Sequence, residues 1–179
     1  MPLVVLVVAL VQFLLAVTFV VMPVVGMRHG AAAQQAAEAD VARQGFPVAV
    51  LAERRIDFGA SRGSVVVAVA IGVCLAVLAV LNLAGSDLGR VLTWVLQPIL
   101  FVAGLVIMPG EVFTARYVGA AFQKAGLRDI DVRAFVDAAS AAYPSWTRPV
   151  ILTRFLLTMV GSILVVILLA LPAADAYYR

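Results

Sequence analysis

Residues 64–84 read SVVVAVAIGVCLAVLAVLNLA, a run with no Asp, Glu, Lys, Arg or His. At about 1.5 Å of rise per residue, a helix of this length covers roughly 30 Å, the thickness of a bilayer's hydrocarbon core. Strands of a membrane barrel alternate polar and apolar positions, and this run does not alternate. In lipid, the backbone must satisfy its own polar groups, which leaves an α-helix. Three further runs of the same kind lie at 3–27, 91–109 and 150–171. The chain is therefore expected to be an all-α membrane protein with four transmembrane helices in one integral membrane domain, 1–179. The first run has no basic residue ahead of it, exceeds a signal peptide's apolar stretch and lacks a small-x-small cleavage pattern, so it reads as a retained helix.

Composition agrees. Of the 179 residues, 64% are hydrophobic and 13% charged, whereas soluble domains are roughly 45–50% apolar and about 25% charged. The single cysteine, Cys74, excludes an intrachain disulfide and a Cys-based metal site. The net charge of +3 comes with acidic residues interspersed, so no nucleic-acid partner is expected and the bilayer's anionic lipid is the natural counterpart. Twelve of the thirteen basic residues are Arg. With abundant Ala, Val and Gly, this is the composition of a GC-rich genome, actinobacterial in kind.

The arginines also suggest a direction. The segment 28–63 carries Arg28, Arg43, Arg54, Arg55 and Arg62, and the segment 110–149 carries Arg116, Lys124, Arg128, Arg133 and Arg148. The other side has only Arg90 and Arg179. The positive-inside rule then places both long segments in the cytoplasm of a bacterium and both termini outside the inner membrane.

The two halves echo one another. Met22-Pro23 and Met108-Pro109 end spans one and three, and Gly30, Asp40 and Gly72 recur at the same offset as Gly119, Asp129 and Gly161. A 2+2 parallel duplication of one hairpin explains this, as does chance matching in Ala- and Val-rich sequence; both readings stay open. Within the long segments, 31–43 and 111–125 are made of helix formers and stop at Gly45 and Gly126, predicting short cytoplasmic helices. Asp131 is placed to cap another, whose apolar face holds Val132, Phe135, Val136, Ala139 and Tyr143. That face fits lipid, a partner, or the chain's own helices.

Candidate functional residues fall into three groups. Ser64, Ala68, Gly72 and Ala76 recur every four residues, and Thr158, Gly161 and Ser162 form a shorter patch; such small-residue stripes let helices approach closely. Gln12 and Gln97 lie at matching depths, close enough in level to hydrogen-bond each other, and read first as internal helix glue and second as a polar point in a path or a contact to another subunit, while Pro98 should kink its span and free the Trp94 carbonyl for Gln97 or Thr93. Arg54, Arg55, Arg62, Trp146, Arg148 and Arg154 are expected at the lipid headgroups, Arg154 by snorkelling, with Tyr143, Tyr177 and Tyr178 as interfacial anchors. His29, the one histidine, has no neighbouring ligand and reads as inert.

No catalytic residue, cofactor site or metal site is expected, because the span interiors hold no Asp, Glu, Lys or His and no nucleophile elbow, Walker loop or HExxH motif occurs. The functional expectation is a non-catalytic accessory or stabilising subunit bound to a larger membrane protein, such as a lipid transport complex. A small homo-oligomeric transporter or channel is the alternative, and a lipid-modifying enzyme the third reading.

Overall fold

The computed structural model describes residues 2–178. All regular elements among them are helical: α1 (Leu3–Arg43), α2 (Ala49–Glu53), α3 (Arg62–Leu83), α4 (Asp87–Val112), α5 (Thr114–Lys124), α6 (Val132–Ala141), α7 (Thr147–Leu156), a π-helical turn (Leu157–Gly161), α8 (Ser162–Leu169) and α9 (Pro172–Asp175). Four stretches are long and apolar enough to cross a membrane: α1, α3, α4 and the continuous run from α7 through α8.

Helix α1 does not stop at the end of its apolar run. It continues through Pro23, which has no N–H to give the Phe19 carbonyl, and on to Arg43. At about 1.5 Å per residue, its 41 residues reach roughly 60 Å, twice a hydrocarbon core. Its apolar half packs against α3 and the α7–α8 run, and its polar half against α6. Half of its most apolar stretch is buried, against 22% for α3 and α4. The others thus wrap one central helix.

Two cores result. One joins Val5, Val8, Leu15 and Phe19 of α1 to Leu75, Val165 and Leu169. The second lies at the basic end, where Ala37 and Val41 of α1 meet Val50, Leu51, Phe122, Ile130, Phe135 and Ala139. The apolar face of α6 therefore packs on this chain's own helices. Asp131 caps α6 as expected, its Oδ1 accepting from the Arg133 and Ala134 amides at 3.0 and 3.1 Å. Gly45 and Gly126 terminate their helices at φ +83° and +79°.

The echoed positions have unlike surroundings. Asp40 is buried and ion-paired to Arg43, whereas Asp129 is exposed. Gly72 packs on Ala16 and Val20 of α1, and Gly161 packs on Val11 of the same helix. Helix α1 also runs unbroken past its Met-Pro, whereas the chain after Met108-Pro109 leaves α4 at Val112 and restarts as α5.

Candidate functional site

The most concentrated chemistry within the apolar bundle is a hydrogen-bonded network near the chain termini. Gln12 of α1, Asn82 of α3 and Thr93 of α4 are each fully buried. Gln12 Nε2 donates to Thr93 Oγ1 at 3.2 Å, and Asn82 Nδ2 donates to Gln12 Oε1 at 3.0 Å and to Thr93 Oγ1 at 2.9 Å. Thr93 Oγ1 in turn donates to the Gly89 carbonyl at 2.7 Å. Tyr178 closes the group from the C-terminal segment, its hydroxyl donating to Asn82 Oδ1 at 2.9 Å. Each amide and hydroxyl has a partner, as low-dielectric surroundings demand.

A charged layer covers this network. Arg90 donates to Asp175 Oδ1 at 2.9 Å and to the Leu169 carbonyl at 3.1 Å. Its guanidinium sits 5.3 Å from the Trp94 ring centre and 5.4 Å from that of Tyr178. Burial pushes the Tyr178 hydroxyl up to about 12, against the opposing pull of Arg90. Tyr177 donates to the Leu83 carbonyl at 2.7 Å. The two tyrosines expected as lipid anchors instead tie the C-terminal segment to the turn between α3 and α4, because their hydroxyls find protein acceptors there.

Gln12 and Gln97 do not meet. Gln97 lies one turn beyond Thr93 on α4 and faces the last span, its Nε2 donating to Ser162 Oγ at 3.0 Å. The expected pairing matched the two residues by depth along separate helices; Asn82, on the helix between, supplies the better-placed amide. Helix α4 continues through Pro98, which lies on its exposed side, and neither Gln97 nor Thr93 turns to the Trp94 carbonyl. Gln97 Oε1 and Thr158 Oγ1 are buried without hydrogen-bond partners. Thr158 lies in the π-helical turn, an insertion often found at functional positions.

The small-residue stripes pack within the chain. A Cβ on Gly72 would come within 3.0 Å of the Ala16 carbonyl oxygen, and one on Gly104 within 2.6 Å of the Thr158 methyl. Ala68 and Ala76 border the apolar core. Ser64 is exposed and belongs instead to the start of α3, where its amide donates to the capping Ser61 Oγ at 3.1 Å.

Arg154 does not snorkel. It is 6% exposed, paired with Glu111 of α4 and stacked 5.5 Å from the Phe19 ring centre. The carboxylate and the ring meet its charge inside the protein. Arg54, Arg55, Arg62, Trp146 and Arg148 are exposed, all in the segments that join the spans at the basic end. Tyr143 is not a free anchor: its hydroxyl donates to the Phe58 carbonyl at 2.5 Å and is held above its ordinary range by burial and then by the Asp57 carboxylate. His29 also has a structural partner, its Nδ1 lying 3.0 Å from the Ala142 carbonyl, a contact that requires the proton on Nδ1.

Among the described residues no three His, Cys, Asp or Glu side chains come together as a metal site. Asn82 and Glu111 escaped the sequence reading. Asn82 was visible as an amide in the last turn of an otherwise apolar run; Glu111 had no local signal. No protein-family model matches the chain, and searches of curated proteins and of solved structures returned no match.

Proposed function

We propose that the chain is a non-catalytic accessory or stabilising subunit of a larger bacterial inner-membrane assembly, a lipid transporter being the kind that suits it. One observation carries this reading: the Gln12–Asn82–Thr93–Tyr178 amides and hydroxyls bond to one another between the helices. Polar groups spent on holding helices together are not lining a path. The outward faces of α3 and α4 carry Val66, Val73, Val77, Ile99, Val102 and Val106, surfaces suited to lipid or to the helices of a larger partner. In this reading the arginine-rich segments 28–63 and 110–149 lie in the cytoplasm and both termini outside.

A homo-oligomeric transporter or channel is the second reading, favoured by the unpartnered Gln97 Oε1 and Thr158 Oγ1. Extraction of native membranes in mild detergent and affinity capture of the full chain separates the two. A distinct larger membrane protein in fixed ratio supports the subunit reading. A defined homo-oligomer that conducts flux after reconstitution overturns it.

A further inference from the structure

Among the described residues three buried side-chain atoms have no hydrogen-bond partner: Gln97 Oε1, Thr158 Oγ1 and Arg154 Nε. All three lie on one seam, between α4 and the last span. On α4 the seam is marked by Gln97, Gly104 and Glu111, spaced by seven, which share a face because two helical turns take about 7.2 residues. On the last span it is marked by Arg154, Thr158 and Ser162, spaced by four. In a regular helix, at about 100° per residue, eight residues overshoot two turns by about 80° and would carry Ser162 off that line. The wider π-helical turn at Leu157–Gly161 takes up the excess. The two lines then meet rung by rung: Gln97 donates to Ser162, Gly104 packs on the Thr158 methyl, and Glu111 pairs with Arg154.

The other buried threonines each bond a carbonyl three or four residues back, Thr18 to Leu15, Thr93 to Gly89 and Thr147 to Pro144, at 2.7–2.8 Å. Thr158, inside the π-helical turn, bonds none. Burying such a group unpaired forfeits its hydration with nothing in return. The chemistry of the three atoms selects what meets them. Gln97 Oε1 only accepts, Arg154 Nε only donates, and Thr158 Oγ1 does both. A cation suits Gln97 and is repelled by Arg154; an anion suits Arg154 and is repelled by the Gln97 oxygen. Water donates and accepts, so it suits all three. Successive rungs of the last span rise by about 6 Å, a gap that one or two waters bridge at about 2.8 Å per hydrogen bond.

The ends of the seam differ. Outward of Ser162 the same face continues as Val165 and Leu169, fully buried and apolar, and Thr93 on α4 is already bonded to Gly89 and Gln12. At the other end the Glu111 side chain is 42% exposed.

We propose that this seam binds a short file of water molecules that bridges Arg154 Nε, Thr158 Oγ1 and Gln97 Oε1, enters beside Glu111 and ends blind at Ser162. The file is a property of the seam and does not depend on which assembly the chain joins. Met108 is buried on the same face of α4, between Gly104 and Glu111, and reports on it. The test is pulsed X-ray radiolysis of the full chain in nanodiscs made up in oxygen-18 water, with label uptake read at each methionine by mass spectrometry. Radicals formed from bound water oxidise the side chains beside it, so Met108 takes up label in the wild type despite its burial. Thr158→Val keeps the shape and removes the hydroxyl; it lowers that uptake about threefold, the effect of one lost hydrogen bond on the occupancy of the water. Thr158→Ser keeps the hydroxyl and the uptake, and exposed Met27 is labelled equally in all three. Unfolding by SDS adds a test of sign. Losing a bridged hydroxyl shifts the equilibrium about three- to twentyfold toward the unfolded state, whereas removing an unpaired one shifts it toward the folded state. Met108 unlabelled in the wild type, uptake unchanged by Thr158→Val, or a Thr158→Val variant more stable than the wild type would each overturn the proposal. Osmotic water flux through reconstituted vesicles above that of protein-free ones would overturn the blind end.

Discussion

Replacing Asn82 with Leu keeps the branching of the side chain and removes every polar atom from it. Three hydrogen bonds go with them, to Gln12, Thr93 and Tyr178. Side-chain hydrogen bonds between membrane helices average about 0.6 kcal/mol and reach about 1.7, because the dissociated helices also find partners. The variant should therefore lose about 2 kcal/mol, and no more than about 5. Thr93 keeps Gln12 and Gly89 as partners, so the loss falls on Gln12 Oε1 and the Tyr178 hydroxyl. The measurement is reversible unfolding in mixed micelles by SDS titration, followed by tryptophan fluorescence. Trp94 lies against Arg90 beside the network, and Trp146→Phe silences the chain's other tryptophan. Combining Asn82→Leu with Tyr178→Phe completes a double-mutant cycle, with an expected coupling of about 0.6–1.7 kcal/mol. A loss under about 0.5 kcal/mol for Asn82→Leu, or no coupling to Tyr178, would refute the idea that the network ties the bundle together.

Further expectations follow from single contacts. Gly30→Ala puts a methyl 2.6 Å from the Gly59 backbone and should cost about 1–3 kcal/mol in thermal stability. Gly110→Ala, with nothing within 4 Å in α4, should gain about 0.5–1 kcal/mol. Glu111→Gln strands a buried Arg154, whereas Arg154→Met strands a carboxylate whose side chain is 42% exposed; melting in detergent should therefore fall further for Glu111→Gln, and the reverse order would contradict the burial argument. Between about pH 10 and 12 an unfolded tyrosine has lost its proton while folded Tyr178 still holds one, since its pKa is about 12. Stability should accordingly fall as pH rises through this window, and Tyr178→Phe should flatten the fall in a pH series of SDS titrations.

What was legible in the sequence follows from the range of the interaction involved. Four apolar runs declare themselves residue by residue, as do Gly45, Gly126 and Asp131, because helix ends are decided within a turn. Gln12 and Gln97 could be recognised as buried amides but not paired: their depths match along two separate helices, and depth does not say which face points where. Asn82 sits in the last turn before Gly85, where an amide also suits a helix end, so its inward role needed α1 and α4 in place. Tyr178 contacts Asn82 across 96 positions and Arg154 contacts Glu111 across 43; no local pattern carries such a partnership. The π-helical turn is likewise silent, since Leu157 to Gly161 read as ordinary helix.

The two ends of α1 are held by different forces. Within the apolar half, lipid is as oily as a neighbouring helix, so burial itself gives no preference and the arrangement must come from close packing and hydrogen bonds. Gly72, Gly104 and Gly161 supply the close approaches there, and Gln12 with its partners supplies the directional contacts. At the basic end, Phe122, Phe135, Leu51 and Val41 are sequestered from a polar surround, and ordinary hydrophobic burial operates. One helix, continuous through Pro23, carries both sets of contacts, so the packing of the apolar bundle and the burial at the basic end are built on the same element.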